Sequence, residues 1–92
     1  MNHEQLVEAL RKANQALWAM QVLDAFLEAG GHLSPPKRLG DGWVFYSRNE
    51  ATEVLGRHAG PSLAVARLLA ARELLAQLPE DVRVRLGELP KS

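Results

Sequence analysis

The stretch Ala16 to Leu27, reading ALWAMQVLDAFL, constrains this chain more than any other. Ten of its twelve residues are apolar, and only Gln21 and Asp24 interrupt it. A helix that apolar has to be covered by protein on most sides. It is too short to cross a bilayer, which takes about 20 largely apolar residues. The segment is therefore either the central helix of a small core or half of an interface.

Size sharpens that choice. Ninety-two residues make a single domain, and a chain this short buries only roughly 60–65% of its unfolded surface. Cysteine is absent, so no disulfide reinforces the core. A reducing compartment fits that, and oligomerisation is the remaining common device for strengthening a small core. Eleven basic and eleven acidic residues cancel. Zero net charge disfavours DNA or RNA as a partner, because phosphate neutralisation supplies much of that affinity. The N-terminal MNHEQLVEALRKA has no long apolar run behind a basic leader. A soluble, cytoplasmic protein with no membrane segment is expected. Alanine and leucine dominate, and strand formers are confined to one short run, so the fold class reads as mostly α.

The first helix is expected from about His3 to Ala29, stopped by Gly30-Gly31. Its seven-residue columns behave differently from one another. Leu6, Ala13, Met20 and Leu27 are apolar throughout and are assigned to the intramolecular core. Glu4 and Arg11 lead to Trp18 and Ala25; Gln5 and Lys12 lead to Ala19 and Phe26; Leu10 and Leu17 lead to Asp24. The apolar face therefore swings near Asn14 to Trp18. No proline or glycine is there to kink the helix, so its two halves are expected to pack against different bodies, the second being another copy or a larger protein partner. Leu10, Asn14, Leu17, Trp18, Gln21 and Asp24 form the candidate interface. Trp18 belongs to it because its column begins on a solvated face.

After Pro35-Pro36, the turn Gly40-Asp41-Gly42 precedes Trp43-Val44-Phe45-Tyr46. That order predicts a two-stranded β-ribbon, with Trp43 and Phe45 on one face and Val44 and Tyr46 on the other. Ser47 and Glu50 match a capping box for a helix running to Leu55. Gly56 to Gly60 reads as an interhelical turn, with Pro61 opening the next helix. That helix, to Leu78, carries the seam Ala64, Leu68, Ala71, Leu75, Leu78. Pro79-Glu80-Asp81 starts a short last helix over Val82, Val84 and Leu86. The expected layout is one mostly helical domain, 1–92: a long helix over 1–30, a ribbon over 35–47, two or three helices over 48–87 and a loose tail over 88–92.

Tyr46 to Gly56, YSRNEATEVLG, resembles the strand-to-helix entry of MerR- and excisionase-type winged helix domains, carried by Glu50, Ala51, Leu55 and Gly56. The resemblance implies a small DNA-binding regulator with Lys37, Arg38, Arg48, Arg57, Ser62 and Arg67 as nucleic-acid contacts. The helix that would read bases offers only Ser62 and Arg67 at its front end, where a reader presents Arg, Asn or Gln.

Other chemistry is thin. His3, His32 and His58 lie far apart, read as scattered surface or loop residues, and make no metal site. No nucleophile elbow, paired-carboxylate motif or phosphate loop is present, so neither a cofactor nor an enzymatic activity is expected. Asp24, on an apolar segment, is expected to pair with Arg67 or Arg72, within the chain or across an interface. The leading expectation is a self-associating, non-enzymatic interaction or regulatory module acting through a helical surface. A small accessory or inhibitor protein of a bacterium, plasmid or phage fits that description. The DNA-binding regulator is the alternative.

Overall fold

A computed structural model of the protein describes residues 2–90. The first helix, α1, runs His3–Glu28 without a break. Asn2 caps it reciprocally with Gln5: the Gln5 N–H donates to Asn2 Oδ1 (2.8 Å) and the Asn2 N–H to Gln5 Oε1 (3.1 Å). Glu4 lies in the first turn, where a carboxylate suits the helix dipole. Past the helix the chain must double back tightly beneath Phe26. Gly31 permits it, because a Cβ there would overlap the Phe26 ring.

Four strands follow: β1 (His32–Leu33), β2 (Lys37–Leu39), β3 (Gly42–Arg48) and β4 (Val54–Gly60). β3 is the spine of one antiparallel sheet, with β4 along one edge and β1 and β2 sharing the other. Between β1 and β2, Ser34 still pairs with Tyr46: its N–H donates to the Tyr46 carbonyl, and its Oγ accepts from the Tyr46 N–H. Pro35 and Pro36, which lack N–H groups, interrupt the edge there. The Gly40-Asp41 turn and the two faces of β3 are as the sequence predicts.

The helix expected after Ser47 does not form, and with it goes the strand-to-helix entry of the winged helix reading. Residues 48–55 complete β3, turn, and begin β4. The turn is closed by Asn49, whose Oδ1 accepts from the Glu53 N–H at 3.0 Å, with Thr52 in the left-handed region at φ 65°. An isolated helix of about eight residues is marginal. The strand instead gives the backbone of Val54–Gly60 a partner and carries His58 into the interior. The expected interhelical turn at Gly56 to Gly60 is likewise strand β4, not a loop before a helix. The sheet is thus larger than a two-stranded ribbon.

Helix α2 (Leu63–Leu74) is capped by Ser62, whose Oγ accepts from the Val65 N–H, so Pro61 stands outside it. A 3-10 turn (Leu75–Gln77) leads to α3 (Glu80–Leu86), ended by Gly87 at φ 71°. The core gathers Trp18, Ala19, Val22, Leu23 and Phe26 of α1, Phe45 of β3, Ala66, Ala70, Ala71 and Leu74 of α2, and Leu78. Ala66, Ala70 and Ala71 are fully buried, and their small side chains let α1 and α2 approach closely. Ala64 of the expected α2 seam is exposed instead, as is Val84 of α3. Of the tail expected to be loose, Glu88 to Pro90 are described, and Pro90 accepts a hydrogen bond from Gln15; the remainder lies outside the described residues.

The core seam of α1 is not the one expected. Leu6, Ala13, Met20 and Leu27 are all exposed. The columns that begin Glu4, Arg11 and Gln5, Lys12 become buried instead, at Trp18 and at Ala19 and Phe26, as do those that reach Val22 and Leu23. The reason is positional. The rest of the chain buries residues of α1 only from Trp18 onward, so only the C-terminal half of a column is covered, and α2 with α3 covers the side bearing Trp18 and Phe26.

Candidate functional site

Removing that core face leaves a second apolar face on α1. Leu6, Leu10, Ala13, Leu17, Met20, Asp24 and Leu27 follow one another at spacings of four and three, the repeat of a coiled-coil seam. All seven are exposed, and the five large apolar ones keep 45–59% of their surface in water. At 3.6 residues per turn this line lies opposite Val22 and Phe26. It runs over Leu6 to Leu27, about 33 Å at 1.5 Å per residue. Val7, Asn14, Gln21 and Glu28 flank it on one side and Ala9 and Ala16 on the other, so the only charge among them is Glu28 at the C-terminal end.

The whole molecule reflects the same exposure. Its accessible surface is 6317 Å², whereas a compact monomer of 10.2 kDa has about 5,300 Å². The excess, about 1,000 Å², is comparable to the roughly 800 Å² each partner contributes to a standard interface. The Cα extents are 48 × 38 × 14 Å, a flat body with α1 along it.

Of the six residues expected at an interface, Leu10, Asn14, Leu17, Gln21 and Asp24 lie on or beside this exposed line. Trp18 does not: it is 4% exposed, and its indole N–H donates to the Gly87 carbonyl at 3.1 Å, tying α1 to the end of α3. Asp24 forms no ion pair with Arg67 or Arg72; all three are exposed, so nothing demands a buried partner. Near the start of the line, Arg11 pairs with Glu8, and that hydrogen bond holds the Glu8 carboxyl below its usual range.

The residues expected to touch nucleic acid are divided. Lys37, Arg48 and Arg57 come to one face of the sheet. Arg38 stacks 5.4 Å over the Trp43 ring at the edge, Ser62 caps α2, and Arg67 lies along α2.

One cluster was invisible in the sequence. Ser47 Oγ is 2.8 Å from His58 Nε2, and His58 Nδ1 is 3.3 Å from Glu73 Oε2. This chain of serine, imidazole and carboxylate has the atom order of a hydrolytic triad. Here, however, Ser47 and His58 are 0% and 2% exposed. A sealed hydroxyl has no substrate to attack, so the cluster joins β3, β4 and α2. His58 is therefore a core residue, not the scattered surface or loop histidine expected; His3 and His32 are exposed. Burial pushes its imidazole below the ordinary value, and the Glu73 carboxylate opposes that only in part. Nδ1 is not aligned for a hydrogen bond to Glu73. A proton on Nδ1 faces the carboxylate and leaves Nε2 to accept from the Ser47 hydroxyl. Gly56 makes room for this, since a Cβ there would lie 2.9 Å from His58 Cε1.

Among the described residues no helix is long and apolar enough to cross a membrane, and no three His, Cys, Asp or Glu side chains gather as a metal would need. Comparison with protein-family models, with curated proteins and with solved structures found no match.

Proposed function

We propose that this protein is a non-enzymatic interaction module whose working surface is the outward face of α1, and that the partner on that face is a second copy of the chain. The observation that carries the reading is the unbroken four-three repeat from Leu6 to Leu27, exposed along its whole length. Monomeric proteins keep contiguous apolar patches small, and larger ones mark interaction sites. A self-complementary partner fits flanks that carry a single charge, Glu28, which in an antiparallel pair falls at opposite ends of the two helices; they neither repel an identical helix nor select an oppositely charged one.

Asp24 favours an antiparallel arrangement. In a parallel pair each Asp24 would face its own copy across the seam, setting two carboxylates together in a drying interface. An antiparallel pair centred between Leu17 and Met20 sets Asp24 opposite Ala13, where the small side chain leaves space for water. A polar seam residue costs stability while fixing register. Asp24→Leu is therefore expected to tighten self-association at least tenfold, measured by sedimentation velocity across a dilution series. The direct test of the surface is the double variant Leu10→Lys, Leu17→Lys. It is expected to keep the circular dichroism spectrum of the parent, to melt at a temperature independent of protein concentration, and to sediment only as a monomer. Unchanged self-association in a folded double variant would overturn the assignment.

A further inference from the structure

The outer face of the sheet, turned away from α1 and α2, is the second open surface of the molecule. Phe45, Ser47 and His58 point into the body, and strand alternation sends Val44, Tyr46 and Arg48 of β3 the other way. The register sets His32 beside Arg48, Ser34 beside Tyr46 and Lys37 beside Val44, with Arg57 across from Tyr46 on β4. The result is an exposed tyrosine with Arg57 across from it and Lys37 and Arg48 on the same face, the Arg48 guanidinium donating to the Thr52 carbonyl at 3.0 Å, and His32 at the margin. No carboxylate stands on this face: Asp41, Glu50 and Glu53 are all in the turns at its ends. Among the described residues none of the three cations forms an ion pair. Zero net charge thus conceals a strongly uneven distribution. Val44 lies on this face, outside the core cluster, and is 8% exposed.

We propose that this face binds single-stranded nucleic acid, with a base stacked on Tyr46 and phosphates against Lys37, Arg48 and Arg57. The chemistry is that of stacking platforms: an aromatic ring supplies a sequence-tolerant surface for a base, and surrounding cations track the backbone. Duplex DNA fits less well, since its major groove admits a helix or a two-stranded ribbon and not the broad face of a sheet. The proposal rests on residues remote from the α1 seam and is independent of self-association.

The test is fluorescence anisotropy of labelled twelve-residue oligo(dU) and oligo(rU) with the intact chain, at 50 and 200 mM salt. Saturable binding is expected, weakening with a log–log salt slope of about −2 for three phosphate contacts at about −0.7 each. Lys37→Gln and Arg57→Gln should each reduce that slope by about 0.7. Tyr46→Ala should weaken binding at least about fivefold while leaving the slope alone. Preference for one oligonucleotide assigns the sugar; equal binding assigns both, and either supports the proposal. No binding at 50 mM salt overturns it, as does binding that survives all three substitutions in folded variants. Equal competition by polyglutamate would show an acidic protein surface as the partner class and would also overturn it.

Discussion

Ser47 and His58 show how far a single side chain's meaning depends on what faces it. Beside Arg48-Asn49-Glu50, Ser47 reads as a helix cap; beside His58 it is a buried hydroxyl hydrogen-bonded to an imidazole nitrogen 2.8 Å away. Ser47→Ala leaves Nε2 without a partner inside the protein and is expected to cost about 1–3 kcal/mol in a urea titration. His58 also gives stability a pH dependence with a defined sign. Its folded pKa lies below the unfolded value, so the unfolded chain binds the extra proton. The contribution is complete above about pH 7.5 and is lost as pH falls through the ordinary histidine value, near 6.5, toward the lower folded one. Melting temperature should decline between pH 7 and 5 in the parent and decline less in His58→Gln; equal slopes would contradict the assignment. Neither residue's role was legible beforehand, because each depends on the register that pairs Ser47 with Gly56 and Phe45 with His58.

At the scale of elements, the start and stop of α1, the Gly40-Asp41 turn, the faces of β3 and the short α3 were all legible, since each is set by local chemistry. Gly30-Gly31 ends a helix whatever surrounds it, and alternation in Trp43 to Tyr46 is intrinsic to a strand. Two readings failed for a non-local reason. Val54–Gly60 pairs with a strand that ends six residues earlier, and the capping-box pattern gives no sign of that. In α1 the two apolar lines are both real, and periodicity does not say which one the rest of the chain will cover. Neighbouring residues now separate them. Trp18→Ala should cost about 3–5 kcal/mol by opening the core and losing the hydrogen bond to Gly87. Leu17→Lys, one residue away on the open face, should change stability of the monomer by no more than about 0.5 kcal/mol. A large loss from Leu17→Lys under conditions where the chain is monomeric would place that side chain in the core instead.

For the whole molecule, a short chain without cysteine leaves little core, and the dimensions reflect it. The radius of gyration is 14.1 Å, against about 12 Å for a compact domain of this length. The difference arises because α1 is 26 residues long while the other elements bury only residues of its C-terminal half. A single copy therefore leaves apolar surface uncovered on one side of α1 and a basic sheet face open on the other. Pairing along α1 covers the first and leaves the second free, so the two surfaces can be occupied together. The most direct measurement is sedimentation equilibrium of the intact chain at 10–100 µM, near pH 7.5. Pairing along α1 predicts a mass near twice the 10.2 kDa of one chain, falling to one chain's mass in Leu10→Lys, Leu17→Lys. A parent chain that remains at 10.2 kDa over that whole range would contradict it.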